Sequence, residues 1–228
     1  VGARRPTGRD RDTGGVALDA SALTEFQREV ARLFFSLPES DGYLLAGGAA
    51  LVASELTDRP TQDLDLFAHA PIDSVRTGRD ALLGAIAARG WAATTIRDTT
   101  TFCRLVIHGP DDLLVDLAVD STPTSPPTVT VLGPTLAPVE LAARKLLALF
   151  GRAEARDFAD VFVLMQRFSK QRLLTEAEQV DPGFDRRVLA QMLATLSRFR
   201  DDELPIEPEL VATMRGFFAA WAAELAAV

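Results

Sequence analysis

The stretch Leu44 to Phe67, LLAGGAALVASELTDRPTQDLDLF, places two carboxylates, Asp63 and Asp65, inside an otherwise apolar run. On a strand, residues two apart point to the same face. Like charges held together oppose each other's ionisation unless a cation or a hydrogen-bond donor compensates. The same parity along RPTQDLDLF puts Arg59, Thr61, Asp63 and Asp65 on one face and Pro60, Gln62, Leu64 and Leu66 on the other. A third carboxylate, Asp116, lies in LLVDLAVD, where Leu114, Asp116, Ala118 and Asp120 share a face opposite the apolar Leu113, Val115, Leu117 and Val119. If the two strands are neighbours in one sheet, three carboxylates converge. Such a set, completed by water, suits Mg²⁺, a hard cation that binds phosphates at the same time. The alternative is an acidic strand face turned to water, with no ligand.

Gly47 and Gly48 supply a second component. Two glycines before a helix let backbone N–H groups approach an anion, and a helix N-terminus favours negative charge. An ordinary tight strand-to-helix turn would look the same in isolation. What distinguishes this chain is the order: strand, Gly-Gly, helix, a strand with D-x-D, and a later strand with a third Asp. That order sets metal-binding carboxylates beside a phosphate-binding turn, as a Mg²⁺–nucleoside triphosphate site needs. Further along, Lys145 interrupts the apolar stripe of ELAARKLLALFG, and Asp157 and Asp160 form an i,i+3 pair in the next segment. Only two of the 24 basic residues are lysines, Lys145 and Lys170, so a lysine here asks for a reason. Lys145 either snorkels to solvent or reaches a phosphate. Asp157 and Asp160 either serve the helix dipole and neighbours such as Arg156 or Arg167, or belong to the site.

The elements that must position these groups follow from periodicity. Leu23 to Leu37 reads as a helix with Ser21 or Thr24 as N-cap. YLLAGG is a short buried strand ending in a turn, AALVASEL a helix, and TQDLDLFA an alternating strand. Ser74 to Arg89 is an amphipathic helix stopped by Gly90. Three strands follow, WAATTIR, FCRLVIHG and LLVDLAVD, then a Pro/Ser/Thr loop over Ser121 to Thr128 and a short strand VTVLG. From Pro138 the pattern is helical, broken at Gly151. The expectation is an α/β (α+β) fold: an N-terminal core over residues 16–133, a C-terminal helical domain over 134–228, and a flexible polar arm over 1–15.

Composition narrows the functional classes. The net charge of −8 argues against broad nucleic-acid binding but allows a local basic patch. Seven arginines of the C-terminal half (Arg152, Arg167, Arg172, Arg186, Arg187, Arg198, Arg200) are candidates for one that faces RNA. The single Cys103 excludes an internal disulfide and fits a reducing cytoplasm; it reads as core. No apolar run is long enough to span a bilayer, and the Arg-rich N-terminal stretch does not read as a signal peptide. His69 and His108 have no ligand partner at metal spacing.

Taken together, Gly47-Gly48, the R-x-T-x-D-L-D context of Asp63 and Asp65, Lys145-Leu146-Leu147-Ala148-Leu149 and Arg156-Asp157-Phe158-Ala159-Asp160 resemble the AbiEii-type nucleotidyltransferase toxins. That branch of the DNA-polymerase-beta-like superfamily includes the MenT toxins. The resemblance covers about Leu44 to Leu164; Ala49 departs from it, standing where many relatives carry Ser. It implies a nucleotidyltransferase core with a small mixed sheet flanked by helices. It also implies a Mg²⁺-dependent transfer of NMP from an NTP to the 3′ end of tRNA, and a cognate antitoxin. Under it, Asp63, Asp65 and Asp116 hold a two-metal site, Gly47, Gly48, Arg59 and Thr61 meet the nucleotide, and Lys145 meets the triphosphate. Asp157 positions Lys145 or the acceptor. The rivals are a small-molecule or protein nucleotidyltransferase and an inactive binding protein of the same fold. Thr61 shares the carboxylates' face, so a phosphate on it would put negative charge where the nucleotide belongs, an off-state for a toxin.

Overall fold

The computed structural model describes residues 22–227, so the expected arm over 1–15 and the alternative cap Ser21 lie outside the described residues. Seven strands form one mixed sheet: β1 (Tyr43–Ala46), β2 (Asp63–Ala68), β3 (Ala92–Asp98), β4 (Phe102–His108), β5 (Asp112–Val119), β6 (Thr128–Thr130) and β7 (Gly133–Thr135), in the order β3-β4-β5-β2-β1-β7-β6. Two pairs are parallel, β2 with β5 and β1 with β7, and the rest are antiparallel. Eight α-helices are described: α1 (Glu25–Phe35), α2 (Gly47–Ala53), α3 (Arg76–Ala88), α4 (Pro138–Gly151), α5 (Ala155–Leu164), α6 (Lys170–Val180), α7 (Arg186–Ala194) and α8 (Pro208–Ala226). None is long and apolar enough to cross a membrane.

Alternation decides which side of the sheet is core. Leu64, Leu66, Cys103, Leu105, Ile107, Leu113, Val115 and Leu117 are all buried on one side, in the cluster that also takes Phe26, Val30, Leu82 and Ile86 from α1 and α3. The alternate positions face the other side, where Asp63, Asp65 and Asp116 lie. Thr24 caps α1 in a full capping box with Gln27. The same Gln27 also donates to the Thr61 carbonyl (2.9 Å), so α1 anchors the chain just before β2.

Three boundaries differ from expectation. β2 begins at Asp63, not Thr61. The preceding residues pair with α1 and its approach instead, Thr61 N–H donating to Ala22, and Pro60 has no N–H to offer a ladder. Strand parity therefore does not govern Arg59. VTVLG is not one strand but spans a hairpin: Val129 and Thr130 end β6, Val131 and Leu132 make the turn, and Gly133 opens β7, which pairs with β1 at Leu45–Thr135. The sheet thus runs two residues past 133. The Pro/Ser/Thr loop is also clasped: the buried Glu140 accepts from the backbone N–H groups of Thr124 and Ser125, and Glu176 accepts from the Thr124 hydroxyl.

Candidate active site

β2 and β5 run parallel with Asp65 directly opposite Asp116. Neighbouring strands lie about 4.8 Å apart, so this register sets the two carboxylates side by side. Asp63 stands one pleat away on the same face. The sequence parity of both strands therefore translates into one carboxylate cluster, at the floor of a cleft of about 990 Å³.

β1 brings the glycine turn to that floor, since Ala46 pairs with Asp65. Gly47 has φ +63°, and a Cβ there would lie 1.7 Å from Asp65 Oδ2. A Cβ on Gly48 would lie 2.5 Å from the Thr61 hydroxyl. Both glycines are thus required by close approach, and no side chain caps the N-terminus of α2. Ala49 is fully buried. Thr61 donates to Asp63 (2.8 Å), which ties the approach to β2 to the cluster.

The opposite wall comes from α4 and α5. Lys145 on α4 does not snorkel; its ammonium lies 2.9 Å from Asp160 on α5 and lines the cleft. Arg59 grips the same Asp160 with two hydrogen bonds, 2.7 and 2.9 Å. Asp160 is therefore the carboxylate that orients both cations, not a partner of Arg156 or Arg167. Asp157 is fully buried and touches neither Lys145 nor Arg59; it takes two bonds from Arg152 (2.8 and 3.0 Å) and closes the capping box of α5. The joint role of Asp160 escaped sequence reading, because its partners lie 101 and 15 residues away on other elements. The R-D-x-x-D motif did contain it.

Electrostatics separate these groups. The Asp65 side chain makes no hydrogen bond or ion pair with any described residue, and its carboxyl is pushed up to about 7, first by burial and then by Asp63 and Asp116. Lys145 and Arg156 offset part of that rise. For Asp160, burial also acts upward, but the hydrogen bonds and charges of Arg59 and Lys145 outweigh it and hold the carboxyl below its ordinary range.

Asp63 and Asp65 fit a hard divalent cation: they are adjacent, oxygen-only, and short of positive charge. Asp116 does not fit as it stands, because Arg104 on β4 holds both its oxygens at 2.8 and 2.6 Å. Accordingly, no three acidic, histidine or cysteine side chains among the described residues converge as a metal-holding group. Arg104 was not singled out in the sequence. It pairs with Asp116 across the β4–β5 ladder, a contact that parity alone does not give. His108 bonds to Asp112 and Thr94.

A comparison with curated protein sequences finds no match. Among solved structures, the chain resembles JHP933 from Helicobacter pylori (17% identity, TM-score 0.53, covering 90% of this chain and 94% of that one). It also resembles MenT4, a nucleotidyltransferase toxin from Mycobacterium tuberculosis (15% identity, TM-score 0.55, covering 89% and 85%). At these identities the likeness is one of fold. A family model, described as nucleotidyl transferase AbiEii toxin of a Type IV toxin–antitoxin system, matches residues 31–227. The chain therefore belongs to the AbiEii nucleotidyltransferase toxin family.

Proposed function

We propose that this toxin-type nucleotidyltransferase moves a nucleoside monophosphate from an NTP to the 3′ end of tRNA and so blocks aminoacylation. The observation that carries the transfer chemistry is the unpartnered Asp65, in register with Asp116 and beside Asp63, in a cleft whose other wall carries Lys145. Mg²⁺ held by Asp63 and Asp65 would supply charge neutralisation at the triphosphate. Gly47 and Gly48, lacking side chains, let the phosphates lie against backbone donors. Lys145 presents a point charge to the triphosphate, steadied by Asp160. The acceptor hydroxyl oxygen forms a bond to the α-phosphorus while the bridging P–O bond breaks, and pyrophosphate leaves. The hydroxyl proton passes to Asp116, which requires Arg104 to yield one of its two contacts. Catalysis is mostly alignment and charge stabilisation. Asp157 acts at a distance, fixing the start of α5 and hence Asp160.

The choice of tRNA rests on the family likeness, as does a cognate antitoxin. The deciding experiment is transfer from radiolabelled NTPs to total tRNA, run beside small-molecule acceptors and with Asp65→Asn as control. Label on tRNA that Asp65→Asn abolishes supports the reading; label only on a small molecule overturns it. With an RNA acceptor, transfer falls with salt more steeply than NTP binding does. Thr61, between Gly48 and Asp63, is the position where a phosphate would obstruct the nucleotide. Intact-mass analysis after co-expression with the adjacent gene tests that modification, and an unphosphorylated protein with a fully active Thr61→Glu variant would reject it.

A further inference from the structure

The site face of the sheet does not stop at the carboxylates. Register carries it across β4 and β3 to the edge of the sheet. Asp65 pairs with Asp116, Asp116 with Arg104, and Arg104 with Arg97. One row across the strands thus reads two carboxylates followed by two guanidiniums. The adjoining row reads Phe67, Ala118, Phe102. Phe102 is flanked by both arginines, with the Arg97 guanidinium 5.5 Å and the Arg104 guanidinium 5.7 Å from its ring centroid. Every residue of β3 except Ala93 is exposed, and neither Phe102 nor Arg97 belongs to the hydrophobic core. Apart from that ring, Arg97 has no partner among the described residues.

Of the seven arginines of the helical half, the alternative basic surface, four are paired with carboxylates. Arg152 pairs with Asp157, Arg172 with Glu176, Arg186 with Glu178 and Arg200 with Asp202. The sheet face is also polarised. Its far end carries Asp111 and Asp112, which repel phosphate, and its near end carries Arg97 and Arg104.

We propose that Phe102, Arg97 and Arg104 form the platform that receives the single-stranded 3′ end of the RNA acceptor; this rests on the RNA reading above. One base stacks on Phe102, and Arg97, whose guanidinium pairs with no carboxylate, meets the flanking phosphate, while Arg104, held by Asp116, braces the ring. Base–aromatic stacking tolerates any base, because every base has a π-face. Guanidinium planes match phosphate oxygens in pairs. Two strand spacings, roughly 10 Å, separate Phe102 from β2, so a strand seated on the platform ends over the carboxylate row. The platform therefore recognises a splayed single strand and has no means to read a duplex.

The test measures binding and position separately from turnover. Affinity for 5′-labelled tRNA is measured by fluorescence anisotropy for wild type, Phe102→Ala and Arg97→Glu, with Mg²⁺–NTP affinity measured in parallel. Each variant is expected to weaken RNA binding by about tenfold or more and to leave NTP affinity unchanged. Arg97→Glu, on an exposed strand, keeps the test valid if Phe102→Ala folds poorly. In addition, an RNA with 4-thiouridine next to its 3′ end is crosslinked to wild type and mapped by mass spectrometry; adducts are expected between residues 94 and 104. Unchanged RNA affinity in the variants, or adducts confined to the groove lined by Arg156, Arg198 and Phe199, overturns the platform while wild-type transfer to tRNA leaves the function standing. Absence of any wild-type transfer to RNA overturns both.

Discussion

Two groups of carboxylates build the site, one lining the cleft from the sheet and one buried behind its α5 wall, and their charges are balanced differently. On α5, Asp157 and Asp160 are buried, and each is met by cations of the fold: Arg152 for the first, Arg59 and Lys145 for the second. On the sheet, Asp65 has no such partner, and its carboxyl rises to about 7. A buried charge compensated within the fold is architecture, and its removal leaves the partner stranded. A cluster short of positive charge is instead completed by something from outside. The α5 pair thus holds the cations of the fold in place, whereas Asp65 is the carboxylate of the sheet left without one.

This contrast breaks most sharply at Asp65. Asp65→Asn should lower transfer by about a thousandfold or more while the protein folds at least as well as wild type. A pH series sharpens the point. Because the folded carboxyl keeps its proton above the unfolded value, metal-free stability should fall as pH rises from about 4 to about 7, by on the order of 4 kcal/mol from this group alone. Urea unfolding in chelator would show that slope in wild type and its loss in Asp65→Asn. Asp160 has the opposite sign: its carboxyl is held low, so its contribution is present above the ordinary carboxylate range and fades as pH falls below it.

Asp160→Ala should do the reverse of the Asp65 change, reducing stability by about 3 kcal/mol as well as activity, since Arg59 and Lys145 lose their shared partner. Unfolding curves that match wild type would mean the α5 pair is not architectural. Lys145→Ala comes next, with roughly a hundredfold loss of transfer and little loss of stability, because Arg59 still neutralises Asp160. Lys145→Arg should rescue poorly, and full activity in it would remove the point-charge role. The smallest effect belongs to Thr61→Val, which deletes the bond to Asp63 and should change stability by about 1 kcal/mol. A much larger loss would show that the approach to β2 depends on that hydroxyl.

How far the sequence reveals the site depends on the distance of each partner. Asp63, Asp65 and Asp116 were legible because alternation within a strand fixes the face, and the order of elements suggested adjacency. Gly47 and Gly48 were legible for the same local reason. Parity does not reach Arg59, because Pro60 interrupts it and the residues before β2 bond to α1 and its approach instead. Asp160 was undervalued, and Arg104 overlooked, because their meaning lies in ion pairs between elements. No periodicity encodes which carboxylate a guanidinium will find. Strand β7 was missed because three residues, Gly-Pro-Thr, carry no alternation to read.

The bond from Arg59 to Asp160 joins residues 101 positions apart. Loop closure over such a span is a late and entropically costly event in folding. During synthesis the β1–β2 hairpin with its glycine turn emerges first, β5 later, and α5 only after a further forty residues or so, a lag of several seconds at ordinary elongation rates. Until α5 docks, the wall opposite the carboxylates is only α4, and Lys145 has no anchor. A chain cut before α5 should accordingly show no transfer activity, and during synthesis topology sets the interval before the site is complete.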